Sequence, residues 1–332
     1  MKRLVTLLLA LLMVFSLCAC NGTDKPDATK APEVTESVSK VDTCILMEED
    51  ENMINNYSLL AVNPDAPFTD ADGNAVSGVK INADGAQALI EWMLSGTSEL
   101  LIANYGVEEY GDKLFYLKDD APKYDDKIAA ANDDTKVIRL STTTSVNDSG
   151  LLDYLLPVFE KEYGYKVEVQ SAGTGKAIAA AKYGNADLIL VHSKKQEEAF
   201  ISEGFSYTLP GFDSERLCFM YNYFVLCGPS DDPAGVKNCG SVLDAFAKIA
   251  DGKYKFISRG DNSGTHTKEL SLWPESLGIS AEPESFAGYT DWYTSANAGM
   301  GACLVMAEQL HAYILTDKAT FMTFAANNGA MD

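Results

Sequence analysis

The residues of this sequence best suited to chemistry form one polar stretch, residues 258–266, which reads Ser-Arg-Gly-Asp-Asn-Ser-Gly-Thr-His. Ser263 and Thr265 offer hydroxyl groups, Arg259 offers a permanent positive charge, and two glycines let backbone N–H groups approach a ligand closely. Such groups together suit the binding of a small oxyanion. The alternative is a polar turn in which Arg259 pairs with Asp261.

Short apolar runs and amphipathic segments surround this stretch and must position it. A strand is predicted just before it and a helix just after it, and the order of strand, small-residue turn and helix repeats along the chain. This alternation predicts parallel sheets with helices on both faces. Ligands bind such sheets at the carboxyl ends of the strands. Three turns rich in Gly, Ser and Thr fall there, namely residues 142–145, 172–175 and 259–265.

The first third of the chain is less regular. It contains two predicted strands and a helical segment that breaks near Gly96. A polar segment, residues 119–135, then separates this part from the regular alternation and is predicted to be a linker rather than core. The predicted strands are residues 44–47 and 57–62, and the helical segment is residues 83–105.

Net charge excludes one class of partner. The 332 residues carry a formal charge of -22, whereas nucleic-acid binding needs a basic face. An acidic protein that binds an anion must do so with local donors that outweigh its overall field.

The N-terminus is typical of a targeting segment. Lys2 and Arg3 precede an apolar run, residues 4–17, that is shorter than the roughly 20 residues a membrane-spanning helix needs. The run ends in Leu-Cys-Ala-Cys, which resembles a bacterial lipobox in which Cys20 becomes the lipidated first residue. We therefore expect a signal peptide at residues 1–19 and a disordered tether at residues 20–42.

Cysteine and histidine patterns give no metal site and no cofactor. Five cysteines follow Cys20, none in a metal-binding spacing, and no disulfide is predicted. His192 and His311 are isolated and are expected to be structural. Residues 170–177 do not match the phosphate-binding loop motif G-x-x-x-x-G-K-[ST]. Gln170 stands in place of its first glycine, and Ala177 stands in place of its final serine or threonine. We predict that the protein is not an enzyme, although a hydrolase that uses Ser263 and His266 stays open.

Several short segments give the sequence a family resemblance. They resemble the tungstate-binding lipoproteins of ABC importers, and the resemblance covers residues 137–320 nearly without gaps. In chain order the segments are Thr142-Thr143-Thr144-Ser145, Ser149-Gly150-Leu151-Leu152-Asp153, Ala172-Gly173-Thr174-Gly175, Leu190-Val191-His192, Met220-Tyr221-Asn222, Asp232-Pro233-Ala234-Gly235, Ser258-Arg259-Gly260-Asp261 and Ser263-Gly264-Thr265-His266.

This resemblance implies a two-lobed α/β fold like that of class II periplasmic binding proteins, with an oxyanion held between the lobes. It also implies a monomeric, extracytoplasmic receptor, anchored by lipid at Cys20, that captures tungstate and delivers it to the permease of an ABC importer. Ligand-binding residues implied by the resemblance are Thr143, Thr144, Ser145, Thr174, Arg259, Ser263 and Thr265.

Two kinds of departure from the family are visible. Tyr223 and Lys318 stand where the family usually has Asp and Arg. In addition, residues 55–116 resemble the family's C-terminal segment but here precede the rest. We therefore predict a circular permutation, with one lobe at residues 57–222 (including linker 119–135) and the other at residues 43–56 and 223–332. The alternative is an error in the gene boundaries, by which the early segment would be left over from a neighbouring gene copy. In that case it would not complete the fold.

Rival functions remain at this stage. Tungstate and molybdate are tetrahedral dianions of almost the same size, so the sequence does not rank them. Phosphate can carry a proton and needs an acceptor, for which Asp261 is the candidate. A signalling decoy that binds nothing is the third alternative.

Overall fold

The computed structural model describes residues 41–327 and residue 329. The predicted signal peptide, Cys20 and the tether up to residue 40 lie outside the described residues. No helix within the described part is both long and apolar enough to cross a membrane.

Ten strands are present in the described residues. They are β1 Thr43–Met47, β2 Ile54–Ala61, β3 Tyr116–Leu117, β4 Val137–Thr143, β5 Lys166–Ala172, β6 Leu188–Val191, β7 Leu217–Pro229, β8 Phe256–Ser258, β9 Tyr293–Ser295 and β10 Tyr313–Asp317.

Twelve α-helices and three short 3-10 helices accompany the described strands. The α-helices are α1 Ala83–Met93, α2 Gly96–Asn104, α3 Val107–Tyr110, α4 Thr144–Asp148, α5 Leu151–Tyr163, α6 Thr174–Lys182, α7 Lys194–Ser202, α8 Val242–Gly252, α9 Gly264–Leu270, α10 Pro283–Phe286, α11 Met300–Leu310 and α12 Lys318–Ala326. The 3-10 helices are Glu51–Met53, Val236–Asn238 and Glu275–Leu277.

One long strand, β7, organises the sheet, whose strand order is β5-β4-β6-β2-β7-β10-β8-β9. Its first half pairs antiparallel with β2 and β3, and its second half pairs antiparallel with β1 and β10. Parallel pairing occurs on both sides, between β4 and its neighbours β5 and β6, and between β8 and its neighbours β9 and β10. The α/β fold predicted from the strand–helix alternation is confirmed, but the alternation predicted parallel sheets, whereas the pairing around β7 is antiparallel.

Hydrophobic clusters cover both faces of each half of the sheet. Successive residues of a strand point to opposite faces, so Leu59 and Leu60 of β2 enter different clusters, as do Val225 and Leu226 of β7. Residues 57–222 contain two of these cores, apart from Ala319 in one of them, and residues 43–56 with 223–327 contain the buried residues of the other two. We call these halves lobe 1 and lobe 2.

The early segment of the chain completes both lobes. β1 pairs with the second half of β7 in lobe 2, where Ile45 lies opposite Cys227. β2 pairs with the first half of β7, where Leu59 lies opposite Leu217, and α1 and α2 pack into the lobe 1 core beside Leu140. The early segment therefore contributes strands and helices to both halves of the sheet, while the lobe boundaries and the circular permutation stay predictions.

The predicted linker, residues 119–135, differs from the expectation in one respect. It forms no helix or strand, but Ile128 is buried in the lobe 1 core and Tyr124 packs against it. The many aspartates of this segment predict a solvated loop, but burial of the apolar Ile128 and Tyr124 side chains stabilises its packing on the core.

Candidate functional site

All seven predicted ligand-binding residues line one small cavity between the lobes. It is small, with about 10 Å³ of free space for the centre of a water molecule, and we call it the closed cavity because the two lobes meet around it. Four of the seven come from lobe 1 and three from lobe 2. The cavity therefore forms only where the two lobes meet. Its lining residues are Thr143, Thr144, Ser145, Gly173, Thr174, His192, Arg259, Ser263, Gly264 and Thr265.

Three turns bring these residues together, each at the carboxyl end of a parallel strand. β4 continues to Thr143, two residues into the predicted turn, and α4 begins at the next residue. In the same way β5 leads through Gly173 into α6. The turn after β8 needs Gly260, whose φ is +63° and on which a Cβ would lie 2.0 Å from the Ser295 hydroxyl oxygen.

Helix α9 begins earlier than the predicted start at residue 267. Its first residue is Gly264, and the Ser263 hydroxyl oxygen accepts a hydrogen bond from the backbone N–H of His266 at 3.3 Å. This is a serine N-cap. Because the oxygen serves as the acceptor, the hydroxyl hydrogen of Ser263 is available to a ligand.

Two buried donors at the cavity lack a hydrogen-bond partner anywhere in the part of the chain that the structure describes. These are the Thr174 hydroxyl and Nε of Arg259. Thr174 is only 2% exposed. A buried polar group without a partner costs free energy comparable to a lost hydrogen bond, so both donors call for an acceptor in the cavity.

Arg259 also pairs with Asp261, as the alternative for this stretch proposed. A guanidinium nitrogen lies 2.5 Å from one carboxylate oxygen of Asp261, and the other oxygen accepts from the backbone N–H of Ser263 at 3.1 Å. The two interpretations therefore hold together, because the pair orients an arginine that still lines the cavity. Asp261 itself does not line it.

His192 also lines the cavity. The sequence analysis expected this histidine to be structural and did not place it there. Asn55 donates its two amide hydrogens to Tyr57 and Asn222, so its carbonyl oxygen accepts from Nδ1 of His192 at 2.8 Å. The other ring nitrogen, Nε2, then faces the Ser145 hydroxyl at 3.4 Å as an acceptor.

The His192 ring is neutral at ordinary pH. Burial among protein atoms and, secondarily, the charge of Arg259 lower its pKa to about 4. One signal in the sequence could have revealed its position, since His192 directly follows β6 just as the three turns follow their strands.

Two larger spaces adjoin the closed cavity. One, of about 70 Å³, shares Thr144, Ser145 and Arg259 with it and is also bounded by Asp317. The other is an open cleft of about 700 Å³ that shares only His192 and Gly264 with it.

The hydrolase alternative lacks the geometry it needs. In a nucleophile–base pair the histidine ring must accept from the serine hydroxyl. Here Nδ1 of His266 accepts from the backbone N–H of Asn262 at 3.0 Å, and Ser263 meets only the backbone of His266. The described residues contain no group of three or more His, Cys, Asp or Glu side chains that could hold a metal ion.

Lys318, which departs from the family pattern, lies outside the cavity. Its ammonium forms ion pairs with Asp112 at 2.6 Å and Glu48 at 2.9 Å. Asp112 belongs to lobe 1 and Glu48 follows β1, so this lysine ties α12 to the early segment of the chain.

Several known proteins are similar to this chain. A family model described as a PBP superfamily domain matches residues 129–331. The tungstate-binding protein TupA of Peptoclostridium acidaminophilum is 46% identical over 194 residues, which are 58% of this chain and 63% of that protein. A putative ABC transporter anion-binding protein of Haloferax volcanii is 44% identical over 193 residues, which are 58% of this chain and 52% of that protein.

A solved structure is similar as well. The tungstate ABC transporter structure from Geobacter sulfurreducens is 41% identical and has a TM-score of 0.47, with 57% of this chain and 75% of that chain covered. The present chain spans less than two thirds of the length of the two sequence relatives.

Proposed function

This chain belongs to the PBP superfamily, and from that premise we propose that it is a solute-binding protein that captures tungstate between its two lobes. The observation that carries the proposal is the pair of unpartnered buried donors, Thr174 Oγ1 and Arg259 Nε, at a cavity lined by all seven predicted residues. A tetrahedral oxyanion offers both donors the acceptor that they lack.

The donor set favours a fully deprotonated anion. Arg259 supplies the positive charge, the hydroxyls of the two lobes supply directional hydrogen bonds, and no carboxylate lines the cavity. A protonated phosphate would need an acceptor for its own hydrogen. Asp261, the candidate for that role, does not line the cavity and already accepts from Arg259 and from a backbone N–H.

The ligand follows from the relatives together with this chemistry. The relative at 46% identity is a tungstate-binding protein, and another is a putative anion-binding protein of an ABC transporter. Molybdate is the second candidate, since it has the same charge and shape. Because residues of the two lobes meet at the cavity, with the His192 ring packed on the Gly264 backbone, the lobes must separate before either anion enters.

We place the protein outside the cytoplasm, attached to the membrane by lipid at Cys20, where it passes its anion to the permease of an ABC importer. Residues 17–20 support the anchor. A fatty-acid analogue should label the wild-type chain in cells and leave Cys20→Ala unlabelled, whereas equal labelling would remove the anchor from the proposal.

Calorimetry with tungstate, molybdate, sulfate and phosphate tests the function. The chain without residues 1–19 should bind tungstate and molybdate much more tightly than the other two anions. Absence of binding to all four would reject the proposal, and tightest binding of phosphate would assign the chain to another class of receptor.

A further inference from the structure

A single contact separates the open cleft from the closed cavity. The two spaces share only His192, from lobe 1, and Gly264, from lobe 2. A Cβ placed on Gly264 would lie 2.3 Å from Cε1 of His192, so the imidazole packs directly on the glycine backbone. The wall between the spaces is therefore a lobe-to-lobe contact, which opens when the lobes separate.

Among the residues that the structure describes, one ammonium in the cleft has no acidic partner. Lys118, Lys194 and Arg216 line the cleft and each forms an ion pair with a carboxylate. Lys268 is half-buried, and its Nζ donates to the backbone carbonyl of Asn52 at 2.9 Å. No carboxylate oxygen of the described residues lies within 4 Å of it, and desolvation lowers its pKa.

Lys268 is also well placed relative to the wall. It lies four residues after Gly264 on α9, so the two residues share one face of that helix. An anion that rests against Lys268 is therefore about one helical turn from the point where the cavity opens.

We infer that the cleft is the entrance to the anion cavity and that Lys268 captures the oxyanion there before His192 and Gly264 close behind it. This inference rests on the proposed function. In a chain of net charge -22, an approaching dianion is repelled over most of the surface, so an unpaired ammonium at the entrance concentrates it locally. The contribution of Lys268 is therefore to the association rate.

Stopped-flow kinetics with tungstate tests this role. Lys268→Met keeps the length and the apolar stem of the side chain and removes its charge. Its association rate should fall about threefold to tenfold at low ionic strength, with the difference shrinking as salt is added. The dissociation rate should change little, and Lys268→Arg should restore fast association.

Lys248→Met is the matched control. Nζ of Lys248 also donates to a backbone carbonyl, that of Gly235 at 3.0 Å, but this lysine lies outside the cleft. The control removes the same charge, so it should associate at nearly the wild-type rate. Lys268→Gln serves as a second neutral variant if Lys268→Met does not fold.

Two results would overturn the inference. One is association of the neutral Lys268 variants at the wild-type rate, and the other is equal slowing in Lys248→Met. Both leave the proposed function intact, because wild-type binding is established separately by calorimetry. Failure of the wild type to bind any of the four anions would instead reject the function itself.

Discussion

Thr142 and Thr174 are both buried threonines of lobe 1, yet they use their hydroxyl groups differently. The Thr142 hydroxyl donates to the backbone carbonyl of Leu190 at 2.7 Å and ties β4 to β6. The Thr174 hydroxyl has no partner in the described part of the chain and lines the cavity. The Thr142 hydroxyl therefore stabilises the fold, and we assign the Thr174 hydroxyl to ligand binding.

Replacing each threonine by valine should separate these roles. Thr174→Val should weaken tungstate binding about tenfold to hundredfold, because a hydrogen bond to a charged group contributes about 1.5–3 kcal/mol. Its free energy of unfolding without tungstate should not fall, because valine removes a buried hydroxyl that has no partner among the described residues. Thr142→Val should do the reverse and lose about 1 kcal/mol of stability while keeping its affinity. Calorimetry and urea unfolding measure the two quantities, and unchanged affinity in Thr174→Val would remove this hydroxyl from the site.

Glu269, on the helix that follows the Arg259 turn, makes stability depend on pH. It is buried, and one of its oxygens accepts from Nε1 of Trp273 and the hydroxyl of Tyr293, both at 2.9 Å. Burial raises its pKa from 4.5 to about 7. Between these values the native state holds a proton that the unfolded state has lost. The contribution of protonated Glu269 to the free energy of unfolding is therefore complete below its unfolded-state pKa of 4.5, and it is lost as the pH rises through its native-state pKa of about 7.

The variant Glu269→Gln should lose this dependence, because its amide stays neutral at every pH. Relative to the wild type, its free energy of unfolding should rise by about 3 kcal/mol between pH 4 and pH 8. Urea unfolding across that range measures the difference between the two proteins, in which the other titrating groups cancel. Parallel pH profiles would show that Glu269 does not titrate in this window.

Among the secondary-structure elements, the three turns were predictable because each follows a recognisable strand. Apolar runs locate β4, β5 and β8, and the rule that parallel strands end at the same edge places Thr143, Thr174 and Arg259 together. The exact start of α9 was not predictable, since the N-cap of Ser263 is decided by a local hydrogen bond. The position of His192 at the cavity was missed because it was judged as a single histidine, although it directly follows β6 at the same edge of the sheet.

Gly264 should control how completely the lobes close. Gly264→Ala puts a methyl group where the His192 ring lies, so the closed state should lose roughly 1–3 kcal/mol through overpacking. We expect tungstate to dissociate about tenfold faster or more. Gly96→Ala is the control, since Gly96 also begins a helix behind a serine N-cap but has no atom within 4 Å of the new methyl group. Equal dissociation rates in both variants would show that the contact does not govern closure.

At the scale of the whole molecule, the contacts that matter most join residues far apart in sequence. β1 and β2 flank opposite halves of β7, although 169 and 155 residues, respectively, lie between them and that strand. Sequence patterns predicted these strands one by one, and only the family resemblance indicated where they pair. Ile128 shows the limit of that approach, because residues 119–135 lie outside the family resemblance and offer no counterpart from which this contact could be inferred.

The described ends of the chain are adjacent, which supports the predicted permutation. A Cβ placed on Gly329 would lie 3.5 Å from Cγ2 of Val41. A chain that joins these two residues by a short Gly/Ser linker and opens between Asp125 and Asp126 should therefore fold and bind tungstate as the parent does. Circular dichroism and calorimetry check both properties. Opening between Tyr223 and Phe224, in the middle of β7, should abolish folding, and loss of folding in the first variant would contradict the permutation.

The central claim is that an oxyanion lies between the lobes against Arg259 and the hydroxyls of the three turns. Its most direct test is the position of tungsten in a crystal grown with tungstate, read from the anomalous scattering of the metal. We expect one strong peak inside the closed cavity, with oxyanion oxygens about 2.7–3.2 Å from the Arg259 guanidinium and the Thr174 hydroxyl. A peak elsewhere on the protein, or no peak at saturating tungstate, would contradict the claim.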